Sequence, residues 1–152
     1  SSLFAGSPGV SVGIFGVGFK KNVSDYNVAH LVLQKSIPGI GGSVAIGAYH
    51  GFNKTLFTNT DGDVVQSGAL AAVTSPDIEI GRKGLKKVNF VADVQTGKNA
   101  YGAWGIGAGF YFAENVSLLT GPVFFFDKKA QPGGSDTLWS LQLDIDIPFD
   151  KL

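Results

Sequence analysis

Strict alternation of apolar and polar residues near the carboxyl end most constrains the fold. The segment Leu138–Phe149 reads LWSLQLDIDIPF, with a period of two. This is the period of a β-strand, whose successive side chains point to opposite faces. The segment therefore predicts a strand with one apolar and one polar face. The apolar positions are Trp139, Leu141, Leu143, Ile145 and Ile147, and the polar positions include Gln142, Asp144 and Asp146.

Two further segments alternate in the same way. Residues 87–95 place Val88, Phe90 and Val94 opposite Asn89, Asp93 and Gln95. Residues 101–112 place Trp104, Ile106, Phe110 and Phe112 opposite Gly105, Gly107 and Gly109. Glycines in a row facing solvent would weaken a strand, whereas inside a narrow barrel they make room for bulky side chains from other strands.

Weaker alternation indicates five more strands, at 10–19, 26–34, 43–52, 64–73 and 116–126. The segments between them are rich in Gly, Pro, Asn, Asp and Ser, which favour turns. Glycine, with 22 residues, recurs through the apolar segments, and no apolar stripe of helical period extends far. The prediction is an all-β chain of about eight antiparallel strands joined up and down, within one domain covering residues 1–152.

Composition excludes several classes of function. Twelve Lys and Arg balance twelve Asp and Glu, and no nucleic-acid-binding motif is present, so we expect no nucleic acid partner. The absence of cysteine excludes disulfides and thiolate chemistry. No stretch without a charge or a proline is longer than 99–113, which is shorter than the roughly 20 residues of a membrane-spanning helix, although a tilted strand needs only about 9 to 11.

A sandwich, a soluble barrel and a membrane barrel all fit this strand pattern. They differ in which face of the sheet carries the apolar residues. In a membrane barrel large apolar residues face lipid, and polar or small residues face the lumen. The glycine row favours that arrangement. The predicted lumen-facing residues are Asn89, Asp93, Gln95, Gly105, Gly107, Gly109, Gln142, Asp144 and Asp146. The predicted lipid-facing residues are Val88, Phe90, Val94, Trp104, Ile106, Phe110, Phe112, Trp139, Leu141, Leu143, Ile145 and Ile147.

Three short stretches are distinctive: Thr96-Gly97-Lys98-Asn99, Asn115-Val116-Ser117 and Asp144-Ile145-Asp146. They resemble stretches of a family of uncharacterised, porin-like outer-membrane β-barrel proteins of Gram-negative bacteria. The earlier GVSVGIFGVGFKKNVSDYNVAHLVLQKSIP is also similar, so the resemblance covers most of the chain. It implies a transmembrane barrel of the bacterial cell outer membrane, in contact with outer-membrane lipid. A passive pore or a structural membrane protein without catalysis is the function it implies.

The chain departs from that family in two respects. Family members end at the final aromatic residue, whereas here Asp150, Lys151 and Leu152 follow Phe149, which puts recognition by the assembly machinery in doubt. Family members are also longer at the amino end by several strands. We therefore expect this chain to be the carboxyl-terminal part of a larger barrel, completed by a missing amino-terminal segment, another chain or further copies of itself, rather than a ring closed by its own strands.

Two other functions remain open on the sequence. The first is a soluble or periplasmic β-barrel that binds a small apolar ligand inside. The second, an outer-membrane enzyme, lacks a recognisable Ser/His/Asp arrangement around His30 or His50. Segment 59–63 begins like a calcium loop but lacks the later bidentate Glu, and Asp144 with Asp146 is better explained as a polar lumen ladder than as an acid/base pair. We expect no cofactor, no metal and no catalytic residue.

Loop lengths predict an orientation. Outer-membrane barrels have short periplasmic turns and longer external loops. With both ends of the chain periplasmic, segments 53–63 and 127–136 lie outside, and 36–42 and 113–115 lie inside. Segment 74–85 fits poorly, because it is long yet assigned to the inside.

Overall fold

The computed structural model describes residues 8–131 and 134–145, and regular structure in these ranges is almost entirely β-strand. Single-turn 3₁₀ helices occupy Lys54–Phe57 and Lys128–Ala130. No helix in the described ranges is long and apolar enough to cross a membrane. The strands are β1 Gly9–Phe15, β2 Val28–Ser36, β3 Ser43–Gly51, β4 Ser67–Thr74, β5 Ile78–Arg82, β6 Leu85–Gln95, β7 Ala103–Ala113, β8 Val116–Phe125 and β9 Thr137–Ile145.

All the strands belong to one antiparallel sheet, in the order β1-β2-β3-β4-β6-β7-β8-β9. β4 and β5 share one position beside β6, because β4 pairs with residues 91–95 of β6 and β5 pairs with residues 85–88. The sheet thus has eight positions that follow chain order. It curls into a half-barrel, which confirms the predicted all-β, antiparallel, up-and-down architecture.

The expectation of a loop throughout 74–85 is wrong, because β5 lies within it. Ser75 still pairs with β6: its N–H donates to the Phe90 carbonyl at 2.8 Å, and its Oγ accepts from the Phe90 N–H at 2.8 Å. Pro76, which has no N–H, interrupts the ladder, and pairing resumes between Ile78 and Val88. The connection to β6 is reduced to a two-residue turn, Lys83–Gly84, in which Gly84 adopts φ +90°.

The half-barrel has two edges within the described residues. β1 pairs with β2 alone, and β9 pairs with β8 alone. The described parts of the first and last strands therefore do not pair with each other, and each leaves one side of its backbone without a strand partner in the described chain.

Connections alternate between the two ends of the sheet. Short turns at 37–42, 83–84 and 114–115 lie at one end, which we call the turn end. Longer segments at 16–27, 52–66, 96–102 and 126–136 lie at the other, which we call the loop end. The two-residue turn after β5 removes the poor fit of segment 74–85 with this alternation.

The loops at the loop end form the most buried part of the molecule. Phe57 is fully buried, and its ring stacks on Tyr101 with centroids 5.3 Å apart and an interplanar angle of 12°. Tyr26 contacts the same Phe57 ring edge-on at 6.1 Å, and Val28 and Tyr49 complete the cluster from β2 and β3. Apolar burial that stabilises the fold is therefore concentrated where three loops meet the sheet.

Replacing Phe57 with Ala should lower the free energy of unfolding by about 3 to 5 kcal/mol, because it leaves a cavity in this cluster. Phe52→Ala, at a side chain that is 59% exposed, is the matched control and should cost much less. Urea unfolding of both variants measures the difference. Equal losses would contradict the assignment of Phe57 to the core.

Candidate functional site

Pairing registers divide the sheet into two faces with different residues. We call inner the face that carries the buried strand residues Val28, Tyr49, Asn89 and Ala103, because the curl of the sheet crowds side chains there. The opposite face is the outer face. Side chains of directly paired residues lie on the same face, so the registers assign the described strand positions outside the two irregularities, at 79–82 and 111–113.

The residues predicted to face a lumen lie together on the inner face. Asn89 pairs with Gly109, Asp93 with Gly105, and Val91 with Gly107. Gln95 pairs with Ala103. Gln142 and Asp144 pair with Leu119 and Ser117 of β8, which extends the same face to the sheet edge. Asp146 lies outside the described residues.

The residues predicted to face lipid lie together on the outer face. Val88 pairs with Phe110, Val94 with Trp104, and Leu143 with Leu118. The same face continues over strands whose facing the sequence left unassigned, through Val10, Val12, Ile14, Leu31, Leu33, Val44, Ile46 and Val73. Ile147 lies outside the described residues. The registers group five of the remaining members with them: Phe90, Ile106, Trp139, Leu141 and Ile145. Phe112 has no register partner, because it lies at the irregularity between Tyr111 and Ala113, but its side chain is exposed and it follows Phe110 in alternation.

Polar side chains on the outer face are concentrated near its two ends. Lys35 and Lys86 lie near the turn end, and His50 and Ser67 lie near the loop end. The exception is Thr120, whose hydroxyl accepts from the Trp139 indole N–H at 2.7 Å and donates to the Ser140 carbonyl at 2.9 Å. The Thr120 hydroxyl and the Trp139 indole N–H are thus hydrogen-bonded within the sheet. An apolar band separates the polar residues near the turn end from those near the loop end.

Charged residues on the inner face cluster toward the turn end. Lys87 forms an ion pair with Asp77 at 2.5 Å, and its ammonium also lies 4.5 Å from the centroid of the Tyr111 ring. The buried Asn89 amide donates to Asp77 at 3.0 Å and to the Tyr111 hydroxyl at 3.2 Å. Asp144 lies in the same cross-strand row as Lys87, through Tyr111 and Ser117.

A hollow of about 180 Å³ opens on the inner face between β6 and β9. Its floor includes Gly105 and Gly107, Asp93 lies at one side, and Ser140 and Gln142 lie at the other. In cross-strand register Asp93 stands between Ala72 and Gly105, so small residues flank its carboxylate on both sides. A second hollow, of about 200 Å³, lies on the other side of Asp93 and is lined by Ala45, Ala72 and Gln95.

Buried polar contacts join the loops at the loop end. Asn99 is fully buried; its Oδ1 accepts from the backbone N–H groups of Tyr101 and Gly102 at 2.8 Å each. Its Nδ2 donates to the Tyr49 hydroxyl at 3.0 Å and to the Val65 carbonyl at 2.7 Å. Further contacts between loops are those of Asn53 with Asn22, Lys98 with Asp61, and Gln131 with the Ala100 carbonyl.

Asp127 joins the loop after β8 to the connection between β3 and β4. Its carboxylate accepts from the Thr60 N–H at 3.2 Å, the Thr60 hydroxyl at 3.1 Å and the Lys129 N–H at 3.2 Å. Burial opposes its ionisation, but these hydrogen bonds outweigh burial and hold the pKa of Asp127 below its ordinary value.

The lowered pKa of Asp127 predicts how the stability of the fold varies with pH. A carboxyl whose folded pKa lies below its unfolded value stabilises the fold above the unfolded value, about 3.9, and loses that effect as pH falls through the folded pKa. Wild type should therefore be more stable than Asp127→Asn at pH 7, and this difference should shrink as pH falls below about 4. Urea unfolding of both proteins across that range measures it, and a constant difference would contradict the assignment.

The two histidines lie on opposite faces and cannot share a site. His30 is on the inner face, 5.5 Å from the Phe15 ring, and His50 is on the outer face. The His50 Nδ1 lies 2.7 Å from Ser67 Oγ, directly across from it in the β3–β4 register. No described carboxylate orients the other nitrogen of His50, so the contact is a cross-strand hydrogen bond without the third member of a catalytic triad.

In segment 59–63, which begins like a calcium loop, the polar groups bind the protein itself. The Asn59 Oδ1 accepts from the N–H groups of Asp61 and Asp63 at 2.9 and 2.8 Å, as in an Asx turn. Asp61 pairs with Lys98. Across the described ranges, no group of three or more His, Cys, Asp or Glu residues is placed to hold a metal ion.

In comparisons with known proteins, no protein-family model, no curated protein and no solved structure matches the chain.

Proposed function

We propose that this chain forms part of the wall of a transmembrane β-barrel in a Gram-negative outer membrane. In this proposal the outer face contacts lipid, the inner face lines the lumen, and the barrel acts as a passive pore or a structural membrane protein without catalysis. The resemblance of the sequence to porin-like outer-membrane proteins supports the same class. One observation carries the proposal: the exposed face of the curved sheet is the apolar one.

The extent of that face is the main support. Large apolar side chains remain exposed on it from one edge of the sheet to the other, with Val12 76% exposed on β1 and Leu143 61% exposed on β9. Soluble monomers rarely expose contiguous apolar patches larger than a few hundred Å². A hydrocarbon environment removes this cost, because the surface then contacts lipid instead of water.

The height of the apolar band also fits a bilayer. On β7 it extends from Trp104 to Phe112, and a nine-residue stretch of antiparallel strand is about 27 Å long. With a tilt of about 40° from the barrel axis, it covers about 21 Å, close to the roughly 25 Å apolar band of outer-membrane barrels. β6 and β7 are each 11 residues long, enough for one crossing.

The alternative, a soluble barrel with a small apolar ligand inside, requires the opposite distribution. Such a barrel fills its interior with apolar residues and exposes polar ones. Here glycines, Asp93, Gln95 and Gln142 occupy the inner face, while Trp139 and Leu141 are exposed. This distribution favours the membrane barrel.

Cell fractionation tests the proposal directly. Expressed with the signals needed for export, the protein should remain in the detergent-extracted envelope fraction. It should also migrate differently on a gel before and after heating, because a folded barrel resists unfolding by the gel detergent until it is heated. Recovery as a soluble periplasmic protein would contradict the proposal.

Arginine substitution on β9 tests the facing of individual residues. Leu143→Arg should lower the free energy of unfolding in lipid by about 2 to 4 kcal/mol if the residue lies near the bilayer midplane. Gln142→Arg is the matched control. Gln142 is adjacent to Leu143 in sequence but points to the inner face, where the added charge should be tolerated. A larger loss at Gln142 would reverse the two faces.

Protease accessibility tests the orientation. If the loop end is external, trypsin added to whole cells should cleave at Lys54 or Lys128, which are exposed in the loops. Arg82 and Lys83, at the turn end, should be protected until the cells are lysed. Cleavage confined to Arg82 and Lys83 in intact cells would invert the orientation.

A further inference from the structure

Asp93 differs from the other charged residues of the inner face in its isolation. Asp77, Glu79, Lys87 and Asp144 lie toward the turn end, where Lys87 neutralises Asp77. Asp93 lies farther toward the loop end, in a cross-strand row with Ala45, Ala72 and Gly105. Among the described residues, no cationic side chain pairs with it.

The environment of the Asp93 carboxylate leaves it available to a ligand. Within the described chain its hydrogen bonding is limited to its own backbone N–H. The nearest lysine in the following loop, Lys98, is held by Asp61. Water can reach Asp93, because the side chain is exposed on the inner face. The carboxylate therefore keeps acceptor capacity that no described protein group uses.

The hollow beside Asp93 has a size and polarity that suit a small ligand. Its volume of about 180 Å³ exceeds what one water molecule needs. Gly105 and Gly107 keep its floor open, and Ser140 and Gln142 supply a hydroxyl and an amide at the far side. No side-chain hydrogen bond of Ser140 or Gln142 occurs within the described chain, so both can bind a guest.

We infer that this hollow is a binding site for a small organic cation with N–H donors, an ammonium or guanidinium group, and that Asp93 is its anionic partner. A guanidinium group matches a carboxylate in both charge and geometry. A neutral guest would leave the Asp93 carboxylate without a counter-charge, and an anionic guest would be repelled by it. The inference rests on the proposed function, in which this face lines the lumen, and it makes Asp93 a determinant of which solutes bind in that lumen.

Titration with guanidinium, followed by NMR, tests the site. The protein is folded in detergent micelles, and the backbone amide signals of Gly105 and Gly107 are recorded as guanidinium chloride is added at low millimolar concentration. Urea, the neutral molecule of nearly the same shape, is the ligand control. Both glycine signals should shift with guanidinium in a saturable way and should not shift with urea.

Two charge-removing variants locate the binding residue. Asp93→Asn keeps the shape of the side chain and should weaken guanidinium binding about three- to fivefold, the upper part of the range expected for losing one exposed ion pair. Asp144→Asn removes a carboxylate from the same face but outside the hollow, and its affinity should stay within about twofold of wild type. A folded Asp93→Asn protein is recognised by an otherwise unchanged amide spectrum.

The outcomes separate this inference from the proposed function. Absence of glycine shifts, or equal shifts in wild type and Asp93→Asn, in a protein that fractionates with the membrane overturns the cation site alone. Recovery of the protein as a soluble species overturns the proposed function, whether or not guanidinium binds. Equal weakening by both variants would contradict a local site, because it would show a diffuse effect of charge.

Discussion

Curvature of the sheet is the constraint on which the rest of the structure depends. A curled antiparallel sheet has a confined inner face and an open outer face, and the period-two pattern of β7 places Gly105, Gly107 and Gly109 on the first and its large apolar residues on the second. Gly121 shows how closely β7 and β8 approach: a Cβ there would lie 2.0 Å from the Ile106 carbonyl oxygen. A larger residue would push β7 and β8 apart.

The wall and the loop end contribute differently to the stability of the fold. Much of the apolar surface of the wall stays exposed, because most of its large apolar residues lie on the outer face. Stability is supplied where loops pack on the inner face, through Phe57 and Tyr101 and the hydrogen bonds of Asn99 and Asp127.

Local alternation predicted the fold class and the grouping of residues on β6, β7 and β9. Each of these strands keeps its period for nine or more residues, so neighbouring positions in sequence determine which residues share a face. The faces of β1 to β4 became assignable only through pairing registers, because these strands have apolar residues on both sides. The sequence did not predict β5, because Pro76 and Gly81 leave this strand too short for a periodic pattern of apolar residues.

The loop contacts could not be predicted for a different reason. Thr60 and Asp127 are 67 residues apart, and Asn99 bonds Tyr49 across 50 residues. No local pattern encodes such contacts. Asp93 was predicted to face the inside from its alternation, but its isolation and the hollow beside it required the positions of β8 and β9.

A spin-label scan along β7 tests the central claim, that the outer face contacts lipid and the inner face contacts water. Single labels at positions 103–113 are exposed in bilayers to oxygen, which concentrates in lipid, and to a water-soluble nickel complex. Relaxation by oxygen should peak at 104, 106, 108, 110 and 112, and relaxation by nickel should peak at the positions between them. Peaks in the opposite phase, or uniform access of nickel to all positions, would contradict the account.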